Sequence, residues 1–383
     1  MAHRIPSENY VYLEIASSLR GRIERGDFRN GRLPSERVLT VEFGVQRATV
    51  RRALKTLEEQ GLVFRDATRG TFARPPAPPE TDSGGIALVM GRAHDTTAPA
   101  DIARGLTRAV REAERFLLWV DMPAAQGHAE SEVPDPRDLI ARGVAGAVLW
   151  PEIPASVERL RALRDAMPLV LLDRHVPGFE SDFVGINDFA AGWAVAEHLL
   201  SVGHTRVGFI SVAPHAGTVQ ARYRGYAAAM ATAGTPARPE WTLHRERDLT
   251  SADDAAIEIL LSDGDASPTA LICANDSVAA ALICALRRLG RRVPEDVAVT
   301  GFGNSMPQLL DALGLTTVAQ PFEEMGRAAG QLILERLRAQ AAVVRSGASP
   351  PPVRDVLLDA EVIVRSSCGA GRPAPAQPGL PTT

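Results

Sequence analysis

Arginine side chains along one face of a predicted helix are the clearest candidates for chemistry in this sequence of 383 residues. Over residues 46–59, apolar residues recur at i, i+3, i+4 and i+7, at Val50, Ala53, Leu54 and Leu57. This spacing predicts a helix that buries one face and leaves Arg47 and Arg51 nearer the other. Such a helix fits the DNA major groove, where arginines near its amino end can reach phosphates and guanine edges. The alternative is that both are solvated arginines of an ordinary surface helix.

Two more helices and a hairpin are predicted around this helix. One apolar face of a first helix, which ends near Gly26, consists of Ile15, Ala16, Leu19 and Ile23. A second helix is predicted to begin within residues 33–37, where Ser35 can cap free amide groups and Glu36 is favourable in the first turn. Residues 62–65 and 71–74 are predicted strands of a hairpin. These elements predict a winged helix-turn-helix domain over residues 1–75.

Charge is distributed unevenly between this head and the rest of the chain. Residues 1–75 hold 14 basic and 9 acidic side chains, a net charge of +5, whereas the remainder holds 28 and 37, a net charge of −9. A basic head on an acidic body is typical of a nucleic-acid reader, because phosphate neutralisation needs cations only where contact occurs. Chance variation in surface charge is the alternative.

Composition also marks the remaining boundaries. The proline-rich residues 76–85 predict a semi-rigid linker. Residues 366–383 are rich in Gly, Ala and Pro, with few large apolar groups to offset the entropy of ordering, so we expect a disordered tail. The body is then residues 86–365.

Short apolar runs alternate with helical patterns through the body. Strands are predicted at residues 86–90, 116–120, 147–150, 169–172, 207–210, 270–273 and 297–300. Helices are predicted at residues 101–114, 190–201, 220–233, 276–289 and 322–340. Apolar strands separated by helices are typical of parallel sheets covered on both faces. About a dozen such units favour two doubly wound lobes over one sheet, with ligands at the carboxyl ends of the strands.

Cysteine usage and hydropathy argue against a disulfide-rich, zinc-binding, secreted or membrane protein. The first two of the three cysteines lie in apolar surroundings typical of buried thiols, and no CxxC spacing occurs among Cys273, Cys284 and Cys368. Neither a disulfide framework nor a zinc site is expected. The first ten residues lack an apolar signal region, and no stretch approaches the roughly 18 apolar residues of a membrane span. We expect a cytoplasmic protein that does not bind membranes.

The head resembles the GntR-type DNA-binding domain. The resemblance lies in residues 33–37 (LPSER), 44–54 (GVQRATVRRAL), 57–63 (LEEQGLV) and 69–72 (RGTF). It implies that DNA is contacted by Arg37, Arg47, Thr49 and Arg51, and that the wing at Arg69 and Gly70 approaches the minor groove. Two residues depart from the family pattern, since Gln46 stands where Ser or Thr commonly caps the helix and Thr68 where the wing commonly has another glycine. Because Gln can read adenine bidentately, Gln46 joins the candidate base-reading residues.

In the family, GntR-type DNA-binding heads are joined to several unrelated kinds of C-terminal domain, so the body of this chain must be identified separately. A pyridoxal-phosphate body needs a Schiff-base lysine, but the one lysine of this chain, Lys55, lies in the predicted reading helix. The many strands exclude an all-helical sensor, and the length excludes a chorismate-lyase-like sensor. The body instead resembles the effector domain of LacI-type repressors, itself similar to periplasmic sugar-binding proteins. The matching segments are residues 168–173 (PLVLLD), 197–204 (EHLLSVGH), 222–225 (RYRG), 274–279 (ANDSVA), 290–302 (GRRVPEDVAVTGF) and 315–321 (LTTVAQP).

The two resemblances imply an α/β chain, with a winged helix-turn-helix (α+β) followed by a two-lobed periplasmic-binding-protein-like domain of doubly wound parallel sheets. By position, the LacI-type ligand contacts fall on Asp173, Arg222 and Asn275, with Thr218 and Gln320 as companions. Polar groups at strand ends can bind sugar hydroxyls, and an aromatic face can cover the ring. Trp150 and Glu152, just beyond a predicted strand, could supply that face and a further acceptor.

These assignments have plain alternatives. Asp173 could cap a turn, Asn275 could cap a helix, Arg222 could be a solvated arginine, and Trp150 could pack in the core. Asn304 is counted with the site although the family often has an acidic residue after Gly-Phe. Without that carboxylate, one strong acceptor for a sugar hydroxyl is lost.

The sequence therefore predicts a ligand-responsive transcriptional repressor that binds operator DNA as a homodimer and is released by a small polar effector of the sugar type. Rival interpretations are a transport-type sugar-binding protein and an enzyme with a DNA-binding regulatory head. No Ser/His/Asp signature, phosphate loop or zinc spacing occurs, and His198 and His204 have no Glu or Cys partner at ligand spacing. We expect no enzymatic activity, no cofactor and no metal.

Overall fold

A computed structural model describes residues 8–24, 27–28, 31–66, 70–73, 84–91, 96–122, 133–152, 154–262, 264–346 and 349–370. Two compact units are present, a head that contains the described residues up to Ala73 and a body that begins at Gly84. Most of the predicted linker, all but the first five residues of the predicted tail, and the wing residues Thr68 and Arg69 lie outside the described residues.

Three helices and a hairpin build the head, as predicted. They are α1 (Glu8–Glu24), α2 (Glu36–Phe43), α3 (Arg47–Glu59), β1 (Val63–Asp66) and β2 (Gly70–Ala73). The two strands are antiparallel, with Phe64 opposite Phe72 and their rings stacked at 5.6 Å between centroids. The predicted face of α3 is confirmed, because its four apolar residues are at most 1% exposed and pack against Leu19 of α1 and Leu39 of α2.

The first lobe of the body is a six-stranded sheet. Its elements up to the first crossing are β3 (Gly85–Gly91), α4 (Ala98–Glu112), β4 (Leu117–Met122), α5 (Pro136–Ala141), β5 (Val144–Trp150), α6 (Val157–Ala166), β6 (Leu169–Leu172) and β7 (Asp182–Ile186). The chain returns later to add α12 (Phe322–Ser346) and β13 (Asp355–Leu358). Strand order is β13-β7-β6-β5-β3-β4, and every neighbouring pair is parallel.

The second lobe repeats this architecture. Its elements are α7 (Asp188–Ser201), β8 (Val207–Val212), α8 (Gly217–Thr232), β9 (Thr242–Arg245), α9 (Asp254–Leu260), β10 (Ala270–Cys273), α10 (Asp276–Arg288), β11 (Ala298–Gly303), α11 (Pro307–Leu313), β12 (Thr316–Ala319) and β14 (Glu361–Ile363). The order is β14-β12-β11-β10-β8-β9, and only β14 is antiparallel to its neighbour. The predicted pair of doubly wound lobes is confirmed.

Three segments join the lobes. The chain leaves the first lobe between β7 and α7, at Asn187, and returns between β12 and α12, at Gln320 and Pro321. It crosses again between β13 and β14, at Asp359 and Ala360. Three short connections of this kind allow lobe rotation as a hinge, and they lie beside the carboxyl ends of the parallel strands.

Each lobe contains a helix pair that is in contact through glycine. In the first lobe, a Cβ on Gly105 of α4 would overlap the backbone of Glu323, and one on Gly326 of α12 would overlap that of Ile102. In the second lobe, α7 and α8 meet in the same way at Gly192 and Gly225. Glycine is needed here because the helix backbones approach closely. These contacts fix the positions of α7 and α12, the helices that directly follow the first and second crossings.

Two expectations need correction. The disordered tail was expected from Ser366, but Ser366–Cys368 form a 3-10 turn on the second lobe, and Cys368 is fully buried. Ser367 Oγ donates to Val299 O at 2.6 Å and accepts from Thr316 N at 2.9 Å, so hydrogen bonds replace the apolar burial that the composition lacks. The body therefore extends through residue 370. Cys284 was expected to be buried, but it is exposed because it lies on the outer face of α10.

Candidate functional site

The exposed face of α3 presents cations on a rigid support. Ser35 caps α2 as predicted by accepting from Val38 N at 3.4 Å, and Gly44 ends that helix with a positive φ of 64°. Gln46 precedes α3 in an extended conformation, and its side chain makes no capping bond. Burial of the opposite face of α3 leaves the side chains of Arg47 and Arg51 65% and 57% exposed.

Glu36 holds both of these arginines. Its carboxylate accepts from Arg47 Nε at 2.8 Å and from Arg51 Nε at 3.0 Å, while Arg65 of β1 lies 3.9 Å away. Burial would raise the pKa of Glu36, but the hydrogen bonds and charges of Arg47 and Arg51 outweigh it and lower the pKa below the ordinary value. The sequence predicted Glu36 only as a favourable first-turn residue. One carboxylate thus fixes the directions of two guanidinium groups.

The other predicted DNA residues lie on α2, on α3 and at the hairpin. Arg37 is exposed on α2 and Thr49 is half-buried on α3. Gly70 begins β2 with a φ of 111°, a conformation that favours glycine. The guanidinium of Arg32 lies close to Gly70, a neighbour that the sequence reasoning missed.

In the body, Asp173 lies just beyond β6 in a strained turn. Its φ is 65°, and Arg174 N donates to Leu172 O across it at 2.7 Å, which makes Asp173 the central residue of a γ-turn. Only 6% of Asp173 is exposed. Its carboxylate accepts from Trp150 Nε1 at 3.1 Å and from Gln320 Nε2 at 2.8 Å. Strain of this kind clusters at ligand sites and persists because such contacts over-determine it.

These bonds bring three of the predicted effector residues together. Trp150 ends β5, is half-buried, and has its ring centroid 6.1 Å from that of Phe322. Gln320 lies on the second crossing, so its bond to Asp173 joins the first lobe to that crossing. The Glu152 carboxylate lies against Gly91, at the end of β3, where a Cβ would overlap it.

Arg222 of α8 is a buried arginine, not a solvated one. Its Nε donates to Asp188 Oδ1 at 2.7 Å, its Nη1 donates to Ala274 O at 2.8 Å, and its guanidinium carbon lies 3.6 Å from the ring centroid of Phe302. Thr218 is half-buried one helical turn earlier. Burial, with a smaller contribution from the charge of Asp173, raises the pKa of Asp188 to about 6 although Arg222 opposes the rise.

Asn275 is the N-cap residue of α10, which was the structural alternative to a role in ligand binding. Its Oδ1 accepts from Val278 N at 2.8 Å. The next residue, Asp276, is fully buried and accepts from Thr317 Oγ1 at 2.6 Å and Ser305 N at 2.9 Å. Burial raises the pKa of Asp276 despite these bonds. Asn304 lies in the loop that Asp276 anchors, with a positive φ of 52° and its Oδ1 3.5 Å from Arg365 Nη2.

The same loop closes onto the first lobe. Thr97 N, just before α4, donates to Ser305 O at 2.7 Å, and Thr97 Oγ1 lies 3.2 Å from the same carbonyl oxygen. We take the space between the two lobes beside this contact as the candidate cleft, with Asp173, Trp150 and Glu152 on the first lobe and Arg222, Asn275 and Asn304 on the second.

Both histidines, His198 and His204, contact Cys368 in the second lobe. His198 Nε2 lies 3.3 Å from Cys368 Sγ, and His204 Nε2 lies 3.2 Å from Cys368 O. Burial lowers the pKa of His198. Within the described part of the chain, no group of three or more His, Cys, Asp or Glu side chains could hold a metal ion. None of the described helices is long and apolar enough to cross a membrane.

Comparison with known proteins matches both units. A family described as bacterial regulatory proteins, gntR family, matches residues 11–73, and a periplasmic binding protein-like domain matches residues 196–368. The arabinose metabolism transcriptional repressor of Geobacillus stearothermophilus is 26% identical over 366 residues, which are 93% of this chain and 97% of that protein. The HTH-type transcriptional regulator MalR of Streptomyces coelicolor is 28% identical over 90% of this chain and 98% of its own length.

Solved structures agree with these matches. The crystal structure of a LacI family transcriptional regulator from Mycobacterium smegmatis has a TM-score of 0.59 at 25% identity. It covers 74% of this chain and 98% of its own length. Its match supports the two-lobed architecture of the body.

Proposed function

We propose that this chain is a transcriptional repressor that joins a gntR-family helix-turn-helix domain to a LacI-type effector domain and is released from its operator by a small sugar-like effector. The observation that carries the proposal is the presence, in one chain, of a reading helix with exposed arginines and a hinged cleft lined by buried polar side chains. The relative from Geobacillus stearothermophilus, aligned along nearly the whole chain, is named as a repressor of arabinose metabolism.

On the DNA side, α3 enters the major groove and α2 lies across the backbone. Base and phosphate contacts are proposed for Arg37, Gln46, Arg47, Thr49 and Arg51, with Arg69 and Gly70 of the wing at the minor groove. The arginines leave Glu36 in part to reach DNA, since charge-assisted bonds to phosphate or guanine replace those to the carboxylate.

On the effector side, a ligand binds between the lobes. It would contact Asp173, Arg222 and Asn275, with Trp150, Glu152, Thr218, Asn304 and Gln320 around them. Because residues of both lobes and of one crossing contact the ligand, binding changes the free energy of one lobe arrangement relative to another. Only such differential binding can shift affinity for DNA, by typically about 1 to 3 kcal/mol.

The assembly is proposed to be a homodimer that binds a two-fold operator, with half-sites about one helical turn apart. It acts in the cytoplasm, where DNA is accessible. It binds its effector without turning it over, as a regulator and not as an enzyme.

The test of DNA binding begins with selection of an operator from random DNA by the full-length chain. Arg51→Ala should weaken binding of that operator by about 1 to 3 kcal/mol and relax base preference in each half-site. Arg52→Ala is the matched control, because the Arg52 guanidinium lies over the ring of Tyr12, 4.1 Å from its centroid. Equal losses in the two variants would contradict the assignment of α3 as the reading helix.

The test of effector binding follows the operator complex during titration with sugars, sugar acids and nucleosides. Arg222→Ala alone would leave Asp188 buried without a partner, so the double variant Arg222→Ala, Asp188→Asn is used. It should keep operator binding and lose the response. If the double variant still responds fully to the same compound, the cleft is not the effector site.

A further inference from the structure

A separate cavity lies at the β9 edge of the second lobe. Its volume is about 250 Å³, and it is enclosed by α8, β9 and the turn that joins β8 to α8. Most of its surface is apolar. None of its lining residues is among the candidate effector residues of the cleft, so it is a candidate site of its own. The lining residues are Pro214, Val219, Gln220, Tyr223, Arg224 and His244.

Two aromatic side chains form a fixed corner of this cavity. His244 of β9 and Ser211 of β8 are register partners, and His244 Nδ1 lies 2.6 Å from the buried Ser211 Oγ. The ring of Tyr223 packs edge-on against Phe209, with 5.3 Å between centroids. The rings of Tyr223 and His244 lie 6.0 Å apart at an angle of 69°. A third ring can stack on one of them and meet the other edge-on, and aromatic pairs prefer these two arrangements.

The rim of the cavity is positively charged. Arg224 is exposed on α8, and within the described part of the chain neither its guanidinium group nor the side chain of Gln220 makes a hydrogen bond or an ion pair. Burial lowers the pKa of His244, so its imidazole is neutral near pH 7 and Arg224 alone supplies the charge. Among the described residues that line the cavity, none is acidic.

The carboxylates that follow β9 have other partners. Glu246 Oε1 lies 3.2 Å from His215 Nε2. The buried Asp253 accepts from two arginines, Arg245 and Arg247, each at 2.8 Å. Neither carboxylate is paired with the cation at the rim.

The turn that closes the cavity is strained. Ala213 has a positive φ of 48°, which is uncommon for a residue other than glycine, and its N donates to Arg245 O at 2.9 Å. Ala216 N donates back to Ala213 O at 3.0 Å. Within this turn, Pro214 contributes to the cavity wall. Strain of this kind clusters at ligand sites.

We propose that this cavity binds a small aromatic carboxylate, with its ring in the corner between Tyr223 and His244 and its carboxylate on Arg224. The inference goes beyond the proposed function and does not depend on it. A planar ring complements the apolar wall and the two side-chain rings. A carboxylate complements a guanidinium group, which can bind it through two parallel hydrogen bonds. Because α8 also carries Thr218 and Arg222, one helix belongs to both the cavity and the cleft.

Fluorine NMR of the full-length chain can locate the ligand. The chain has four tyrosines, Tyr10 and Tyr12 in the head and Tyr223 and Tyr226 in the body. Labelling with 3-fluorotyrosine therefore gives four signals, and Tyr223→Phe assigns the one from the cavity. The probes are benzoate, its neutral counterpart benzamide, the non-planar cyclohexanecarboxylate, and acetate, which has no ring. Each probe is titrated in the absence of DNA and of sugars.

Two substitutions vary the charge at the rim. Arg224→Gln removes it and Arg224→Glu reverses it, and no hydrogen bond or ion pair among the described residues is lost. Arg287→Gln is the matched control. The Arg287 side chain is exposed on α10 of the same lobe, makes no hydrogen bond or ion pair among the described residues, and does not line the cavity. Thermal unfolding checks that each variant is folded.

The expected result is a saturable shift of the Tyr223 signal by benzoate, while the two head signals do not move. Benzoate should bind with a dissociation constant of about 1 mM or below, and about fivefold or more tightly than the other three probes. Arg224→Gln should weaken benzoate about threefold to tenfold, a modest loss because solvent screens the exposed rim. Arg224→Glu should weaken it further, and Arg287→Gln should leave it unchanged.

Three results would overturn the inference. If benzoate does not shift the Tyr223 signal, the cavity does not bind it. If benzamide binds as tightly as benzoate, or if Arg224→Gln binds benzoate unchanged, Arg224 does not select an anion. If acetate or cyclohexanecarboxylate binds as tightly as benzoate, the corner does not select an aromatic ring. None of these results alters the operator and effector tests of the proposed function.

Discussion

Asp188 in the cleft should make the free energy of unfolding of the protein depend on pH, and the sign of this dependence can be predicted. Its side chain is 12% exposed, and burial raises its pKa from an ordinary 3.8 to about 6 even though Arg222 donates to it. Because the native pKa lies above that of the unfolded chain, the native state binds this proton more tightly. The contribution to stability is full below pH 3.8 and is lost as the pH rises through 6. With about 1.4 kcal/mol for each unit of pKa, the whole change is about 3 kcal/mol.

Asp188→Asn isolates this contribution. Asn keeps an oxygen that can accept from Arg222 Nε, but it has no proton to release. Other carboxylates titrate over the same range in both proteins, so the quantity of interest is the difference between their unfolding free energies. The wild-type protein should lose about 3 kcal/mol relative to Asp188→Asn between pH 4 and pH 8, whatever the offset between the two at one pH.

Guanidinium denaturation at several pH values measures this difference. All four tryptophans, Trp119, Trp150, Trp193 and Trp241, lie in the body, so fluorescence follows the unit that contains Asp188. Asp165→Asn serves as the control, because the Asp165 side chain is 72% exposed on α6. If the difference between wild type and Asp188→Asn is the same at pH 4.5 and pH 7.5, burial does not govern Asp188 and the reasoning is refuted.

Three further changes test the head, the lobe core and the cleft. Glu36→Gln should raise affinity for random DNA, because a negative charge that repels the DNA phosphates is lost, and should lower the preference for the operator, because the carboxylate that orients Arg47 and Arg51 is lost. Fluorescence anisotropy of labelled DNA at several salt concentrations would measure both affinities. An unchanged preference for the operator would contradict the orienting role. Gly105→Ala should destabilise the body by about 1 to 3 kcal/mol by forcing α4 from α12, whereas Gly217→Ala, which meets no atom within 4 Å, should be near neutral in the same melts. Trp150→Phe removes one donor to Asp173 and should cost about 1.5 to 3 kcal/mol, the range for bonds to charged groups; a loss below 0.5 kcal/mol would show that this bond is replaced by water.

Periodicity was sufficient to predict much of the fold. The four buried residues of α3 follow a 3.6-residue period, and β6 and β10 have the predicted ends because continuous apolar runs define buried parallel strands. The strands β7, β9, β12, β13 and β14 were not among those predicted, and β7 was missed although it is buried throughout. In β13 exposed and half-buried residues alternate, and it follows the prolines at 350–352. Its place is set by pairing with β7, some 170 residues earlier, which no local pattern encodes.

Candidate site residues could be proposed one by one from the sequence, but their bonding partners could not. Asp173 and Arg222 follow from motifs around them, whereas the Gln320–Asp173 bond joins residues 147 positions apart and the Arg222–Asp188 bond joins residues 34 apart. The order of residues 366–370 was missed for the same reason, since Ser367 finds its partners on β11 and beside β12.

In the proposed function, the geometry of the crossings would link ligand binding to lobe movement. Two of the three connections carry cleft residues: Asp188 directly follows the first at Asn187, and Gln320 lies on the second. A ligand that competes for Asp173 weakens the bond between the first lobe and Gln320, and one that binds Arg222 acts on its bond to Asp188. Thr97 and Ser305 meet across the opening between the lobes, and Asp276 anchors that loop to β12, whose end is Gln320's neighbour. In the proposed function, exchange of hydrogen bonds in the cleft and rotation about the crossings would be coupled through the same side chains, and an effector's preference for one lobe arrangement would be decided by how many of these internal bonds it replaces.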